Sequence, residues 1–332
     1  AVIDQFVHSV VQELLARTDF ADVSQTRDAF TTRLESRVAN PRYAEVLVAA
    51  VEQRFVSGLA EADRISDADR RRRIKLNLLM MLDSIGQITT ARIASAHVGD
   101  QDAGVRYWAV KNLANPAVIS RLNAAGQGNI EAIREIASSL KAIIPAEANA
   151  KILDLLVDFG SGVNAPEATD LLVTLANRRI SDHEKWDTQH ELLDGRLLNA
   201  LCARARADRA AAAAFGQLLS HCMSKYIRYL ASPSPTTILG EQQAVFLATA
   251  LIVAERGCLG ELRGGGGSAI QNAIARGAAG ASALMGEYTL LFGDAGNPGQ
   301  LTRALNIRYV DAAGVEQALP RPLPDKPGTV SN

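Results

Sequence analysis

Aromatic residues are scarce in this chain, 5% of 332 residues, and cysteines scarcer still, three in all. So few rings exclude a core built on stacked aromatics. Cys202, Cys222 and Cys258 are too few and too far apart for a disulfide scaffold or a CxxC-type zinc site; they read as small buried hydrophobes, with a bridge between Cys202 and Cys222 as the alternative. An excess of charge of one sign is also missing. The 35 Lys and Arg against 36 Asp and Glu leave a net charge of −1, which excludes a dominantly polycationic surface made for nucleic acid or anionic lipid. Nor is there a long hydrophobic run. The longest, Ala244 to Ala254 (AVFLATALIVA), falls short of the roughly 18–20 residues a membrane span needs; it reads as a buried central helix, and no membrane span is expected. The chain opens on Ala1, which fits either a cytoplasmic protein or, after signal cleavage, a periplasmic or secreted one.

What the chain has in quantity is alanine, 55 residues, about one in six. Alanine is the best helix former and lets helix axes approach closely. Apolar residues at Ile3, Phe6, Val7, Val10, Val11, Leu14 and Leu15 take the i, i+3, i+4 spacing of an amphipathic helix. A second helix follows Ser24 and ends at Asn40-Pro41, and Pro41 opens a third that is expected to stop at Gly58 as its C′ residue. The same punctuation predicts helices over 69–85, 89–98, 102–114, 116–125, 129–143 and 152–160, another beyond Asn164, and more near 189–206, 209–230, 238–256, 268–291 and 298–306. No stretch before 306 reads as a strand.

Taken as consecutive pairs, these helices recur every ~25–45 residues, the range of helical solenoid repeats. The expected fold is all-α, a right-handed α-solenoid of helical hairpins, with a large closed bundle as the alternative. Residues 1–306 form the helical domain, with subdivisions near 58–70 and 231–237, and residues 307–332 differ in kind. Ile307–Val310 and Val315–Ala318 flank Asp311-Ala312-Ala313-Gly314 as a small β-hairpin. Leu319-Pro320-Arg321-Pro322-Leu323-Pro324-Asp325-Lys326-Pro327 then has alternate prolines that impose an extended chain. This strap is expected along the helical body or a neighbouring subunit, making Pro320, Pro322, Leu323 and Pro324 candidates for partner binding and homo-oligomerisation.

Asp100-Gln101-Asp102-Ala103-Gly104-Val105-Arg106-Tyr107-Trp108-Ala109-Val110-Lys111-Asn112-Leu113 resembles a HEAT repeat, with Asp102, Val105, Arg106, Ala109 and Leu113 in the places of the aspartate, the valine-arginine pair, the small residue and the leucine. Asp102 is suited to cap the helix, Val105, Ala109 and Leu113 to form its buried stripe, and Arg106 to reach a neighbouring repeat, with Asp83 and Asp154 as candidate partners. The resemblance to HEAT-like and armadillo-like proteins implies scaffolding and protein binding rather than catalysis. Arg106, Tyr107 and Trp108 are the candidate partner-facing patch, since these residue types dominate interface energetics; the alternative places Trp108 in the core.

The remaining chemistry is sparse. His183, Asp187 and His190 would share one face of a continuous helix and are the metal-ligand candidates, against a reading as a polar loop with Trp186 packed on it. Arg263-Gly264-Gly265-Gly266-Gly267-Ser268 lacks a P-loop lysine and reads as a linker with Ser268 as N-cap. Arg70–Arg73 has Asp63, Asp67 and Asp69 beside it, so local neutralisation is expected in place of a nucleic-acid groove. No catalytic residue, cofactor or firm metal site is assigned, and a nucleic-acid-binding protein or enzyme using the arginine-rich segments is the alternative function.

Overall fold

Short polar side chains start the helices of this chain. Asp67, Asp102, Asn115, Asn149 and Asp208 each turn an oxygen onto free amides in the first turn of the helix that follows, satisfying donors that no helical carbonyl reaches. The computed structural model describes residues 2–35, 41–124, 127–262, 267–294, 297–310 and 315–327, and these are mostly helical with two small strand pairs. The ending of the second helix at Asn40, most of the 263–268 linker and the hairpin turn at 311–314 lie outside the described residues. By internal packing the chain divides into two units, Ala1–Glu167 and Ala168–Asn332.

The first unit contains α1 (Val2–Ala16), α2 (Val23–Glu35), α3 (Pro41–Asp63), α4 (Ala68–Ile85), α5 (Ile88–Ser95), α6 (Ala103–Leu113), α7 (Pro116–Leu122), α8 (Gln127–Ile143) and α9 (Ala150–Gly162). Helix α1 packs on α3, α3 on α4, α4 on α6, α5 on α6 and α8, and α6 on α9. Contrary to expectation, α3 does not stop at Gly58. It continues to Asp63, because the glycine serves close packing: a Cβ at Gly58 would stand 2.5 Å from Val11 Cγ1 of α1. Side chains of α6 and α7 reach back to α4. Asn112 Nδ2 donates to the Leu79 carbonyl inside α4 (3.0 Å), while bonds from Asn115 Nδ2 to the Asp83 carbonyl (2.9 Å) and from Arg121 Nε to the Gly86 carbonyl (2.9 Å) provide partners for carbonyls at its C-terminus. One pair further on, Asn123 Nδ2 donates to the Gly162 carbonyl at the end of α9 (2.8 Å).

The second unit holds α10 (Pro166–Glu184), whose first turn contains the division between units, α11 (Leu192–Ala205), α12 (Arg209–Ala231), α13 (Pro235–Ile238) and α14 (Glu241–Ala254). A π-helical turn (Glu255–Leu259), α15 (Gly260–Leu262), α16 (Ala269–Ala275), a 3₁₀ turn (Gly277–Gly280), α17 (Ala281–Phe292) and α18 (Gln300–Leu305) follow. The central helix is α12, buried along most of its length and packed by α11, α14, α17 and α18. The 244–254 run does not have that role: Val245 is 62% and Val253 38% exposed. Its alanine-rich face alone is covered, and Gly195 of α11 comes so near that a Cβ there would lie 2.9 Å from Ala250 Cα.

The single helix predicted over 268–291 is broken where Gly277 adopts φ 56°, a left-handed conformation that glycine takes at little cost. A short strand pair, β1 (Gly293–Asp294) with β2 (Asn297–Pro298), was not expected from the sequence. The C-terminal pair is present: β3 (Tyr309–Val310) runs antiparallel to β4 (Glu316–Gln317), with Tyr309 opposite Gln317. The cysteine pairing is corrected as well. Cys202 of α11 is bonded to Cys258 in the π-helical turn, with Cα atoms 6.1 Å apart, and Cys222 is free and buried. Cys202 and Cys222 sit on successive helices, but α12 turns Cys222 toward α10, as shown below.

Candidate functional site

In the first unit the HEAT-like segment forms α6. Asp102 accepts from the Val105 amide (3.0 Å), and Val105, Ala109 and Leu113 are fully buried. Arg106 reaches neither Asp83 nor Asp154. It holds the buried carboxylate of Glu147 with two nitrogens (2.7 and 3.2 Å) and donates to the Asp100 and Gln101 carbonyls. The correction has a simple cause: Glu147 lies in the loop before α9, the helix packed on α6, whereas sequence spacing alone gives no such contact. Desolvation works against the Glu147 charge, yet Arg106 and the Asn149 amide keep its carboxyl below the ordinary range. The Arg106 guanidinium is thus engaged inside the fold, with 21% of the side chain exposed.

Tyr107 and Trp108 remain half-buried and meet edge to face at 5.7 Å. Lys111 Nζ stands 4.0 Å from the Trp108 ring centroid and 3.6 Å from Asp83, a cation held between an aromatic face and a carboxylate. Beside it opens a groove of about 860 Å³, lined by Asp83, Lys111, Ile119, Leu155 and Asp158 among others. Trp108 is thus neither core nor bare surface.

The arginine run is consumed locally. Arg70 donates to the carbonyls of Leu15 and Arg17 at the end of α1, and Arg71 to that of Ile65. Arg72 pairs with Asp102 (2.9 Å) and Arg73 with Asp69 (2.8 Å). Cations engaged in this way offer little to a phosphate backbone.

In the second unit, α10 ends at Glu184 and Trp186 and His190 take left-handed backbone angles (φ 59° and 62°). His183, Asp187 and His190 therefore do not share a helix face: His183 is fully buried while Asp187 and His190 are exposed. The metal candidates are not brought together. His183 instead meets Asp194 and Cys222, which sequence spacing does not place beside it. Arg179, one turn before it, grips both Asp194 oxygens (Nε to Oδ1 2.7 Å, Nη2 to Oδ2 3.0 Å). His183 Nε2 lies 2.9 Å from Asp194 Oδ2 and 3.7 Å from Cys222 Sγ. Lys225 and Glu191 are buried close by. There was a signal for this network. Leu175, Arg179 and His183 continue the buried i, i+4 stripe of α10, so two polar residues occupy core positions.

Histidine, aspartate and cysteine atoms all within 4.8 Å suggest metal or nucleophile chemistry, but the arrangement fits neither. Both Asp194 oxygens are engaged by Arg179, and a divalent ion would add charge beside two buried cations. A catalytic triad needs thiol and carboxylate on opposite imidazole nitrogens; here both face Nε2, while Nδ1 has no partner. Burial also pushes the Cys222 thiol well above its ordinary range, disfavouring the thiolate. The network is a buried polar element of the core in which Arg179 pairs with Asp194.

It sets an acid limit. Burial lowers the pKa of His183 and brings that of His221 down from 6.5 to about 4, despite a Glu184 carboxylate 3.2 Å from the His221 ring. Between these values the unfolded chain binds more protons than the folded one, so stability is intact above pH 6.5 and falls as pH drops toward 4. Melting temperature followed by circular dichroism from pH 7.5 to 4 should decline across this window, and His221→Gln should flatten the decline. A level profile in the unaltered protein would contradict the assignment.

The proline-rich tail is docked on the second unit. Pro320 and Leu323 are buried while Pro322 and Pro324 are exposed, so the first two are not free for another protein: they are taken up by the chain itself. The Glu255 carboxylate accepts from the Ile270 and Gln271 amides (both 2.8 Å), filling the place an external anion would take, and Ser268 makes no side-chain cap.

No helix among the described residues is long and apolar enough to cross a membrane. No protein-family model matches the sequence, and a search of curated proteins finds no match. The likeness of residues 100–125 to a HEAT repeat rests on those residues themselves.

Proposed function

We propose that the protein is a HEAT-like helical-repeat scaffold that binds a protein partner through its first unit. The observation that carries this reading is the set of bonds joining successive helix pairs there. Arg72 with Asp102, Asn115 with Asp83, Arg106 with Glu147 and Asn123 with Gly162 link residues 30 to 41 positions apart, about the length of one hairpin repeat. In a right-handed α-solenoid such ties hold each hairpin on the next and leave a continuous surface for recognition. Tyr107, Trp108 and Lys111 beside the adjoining groove supply an aromatic and cationic anchor of the kind that dominates interfaces. Use of Arg70–Arg73 for nucleic acid is disfavoured because those side chains already bond carbonyls and carboxylates.

A photo-crosslinking residue placed at Tyr107 in the native host tests the proposal. A discrete adduct with one protein is expected, absent when the probe is moved to exposed Glu131 and lost from the probe-bearing chain when Trp108→Ala is added. Labelling equally strong at both positions, or unaffected by Trp108→Ala in a chain of unchanged melting temperature, would overturn it.

A further inference from the structure

A chain with proline at alternate positions lacks every second backbone N–H, so it cannot complete a helix or a central strand; its carbonyls remain as the handles by which it is bound. Around residues 321–324 the second unit presents donors to those carbonyls. Gln217 Nε2 donates to the Arg321 carbonyl (3.0 Å), while Gln217 Oε1 accepts from the Arg321 amide (2.8 Å). Arg228 donates to the Leu323 and Pro324 carbonyls (2.6 and 2.7 Å), and Trp186 Nε1 to the Pro324 carbonyl (3.0 Å). Gln217 and Arg228 lie eleven residues apart on α12, three turns and hence one face, so the tail runs along that helix.

Side chains are read as well as backbone. Arg321 meets the Glu184 carboxylate at 3.0 Å, Leu323 is only 3% exposed, and Asp325 lies 3.2 Å from Arg228. The Trp186 ring is fixed by its left-handed backbone and by Lys225 and Arg228, whose cationic groups stand 5.0 and 5.7 Å from its centroid. Proline-rich peptides are recognised in general on aromatic-lined surfaces, and here the Trp186 indole N–H bonds a proline carbonyl beside the cradled Leu323.

We propose that this face of α12, with Trp186 and Glu184 at the end of α10, is a receptor for extended Pro-Arg-Pro-Leu-Pro segments, with the chain's own residues 320–324 as its resident ligand. Every contact runs from the helical body to groups that any peptide of that local sequence carries. The same surface therefore accepts such a segment in trans from a partner protein once the tail is displaced. This goes beyond the scaffold reading of the first unit and does not rest on it.

The test uses the full chain. Leu323→Asp unseats the tail by placing a charge in the leucine site, and a synthetic peptide of residues 318–327 is then titrated by calorimetry. One peptide per chain is expected, with apparent affinity at least tenfold weaker for the unaltered protein, because its tethered tail competes at an effective concentration of about the millimolar range. Adding Trp186→Ala or, as a milder second variant, Gln217→Leu to the Leu323→Asp chain should abolish or reduce binding at unchanged helicity. No binding to a folded Leu323→Asp chain, or equal binding by the unaltered protein, would overturn the proposal; so would binding that survives both added substitutions.

Discussion

Replacing Arg179 with alanine is expected to cost about 3–5 kcal/mol, the range for removing one partner of a buried ion pair. Arg179 is 3% exposed and Asp194 fully buried, and the bidentate contact is supplemented by a bond from Arg179 Nη1 to the Gln189 carbonyl (2.8 Å). Arg179 and His183 hold the Asp194 carboxyl far below the ordinary range against the effect of burial. Without the guanidinium, the carboxylate stays in the core with a neutral imidazole bonded to it and Lys225 as the remaining nearby cation. It must either remain charged at high cost or take up a proton. The intact pair contributes less than this figure, since desolving two charges offsets much of their attraction. The double variant Arg179→Met with Asp194→Leu should therefore be markedly less destabilised than Arg179→Ala. Urea unfolding followed by circular dichroism measures both; a loss below about 1 kcal/mol for Arg179→Ala would place the pair among solvent-screened ones.

Loss of the Cys202–Cys258 bond has an expected effect of similar size. The cysteines are 56 residues apart, and the chain-entropy argument for a loop of that length gives about 4 kcal/mol of stabilisation at 25 °C, arising in the unfolded state. In the fold the bond ties α11 to the π-helical turn after α14, where Gly257 approaches Asn199 so closely that a Cβ would stand 2.8 Å from its Oδ1. Cys202→Ser with Cys258→Ser, and the unaltered protein under dithiothreitol, should lose similar stability and show similar lowering of melting temperature. Cys222→Ser serves as the contrast, because reductant should still destabilise that chain. Equal melting with and without reductant would show that the bond does not form in solution.

Both effects come from contacts that spacing does not reveal. Cys202 was weighed against Cys222 because those cysteines lie on consecutive predicted helices. The actual partner is brought round by α14 and the π-helical turn, whose extra residue per turn sets the direction of Cys258. The spacing points Arg106 to aspartates, but a glutamate 41 residues on, in the loop before α9, has the reach and burial. For His183 the helical face drawn through Asp187 and His190 failed because α10 ends at Glu184. The residues that do meet His183 are Arg179 before it, Asp194 on α11 and Cys222 on α12. Of these, Arg179 could have been noticed as a charge on an apolar stripe.

Local features were legible from the chain alone. Capping by Asp102, the stripe Val105, Ala109 and Leu113, the end of α4 at Ile85 and the start of α7 at Pro116, and the extended tail after a short hairpin all depend on residues a few positions apart, where covalent geometry and the helical period determine the outcome. The alanine excess likewise announced close helix packing. Tertiary structure decided which helix is central, which cysteine pairs, which acid each arginine finds, and that the proline-rich tail lies on its own second unit. Those outcomes depend on burial, which sets the strength of a charge or a thiol interaction, and on distances between residues tens of positions apart, and neither quantity is carried by the local sequence.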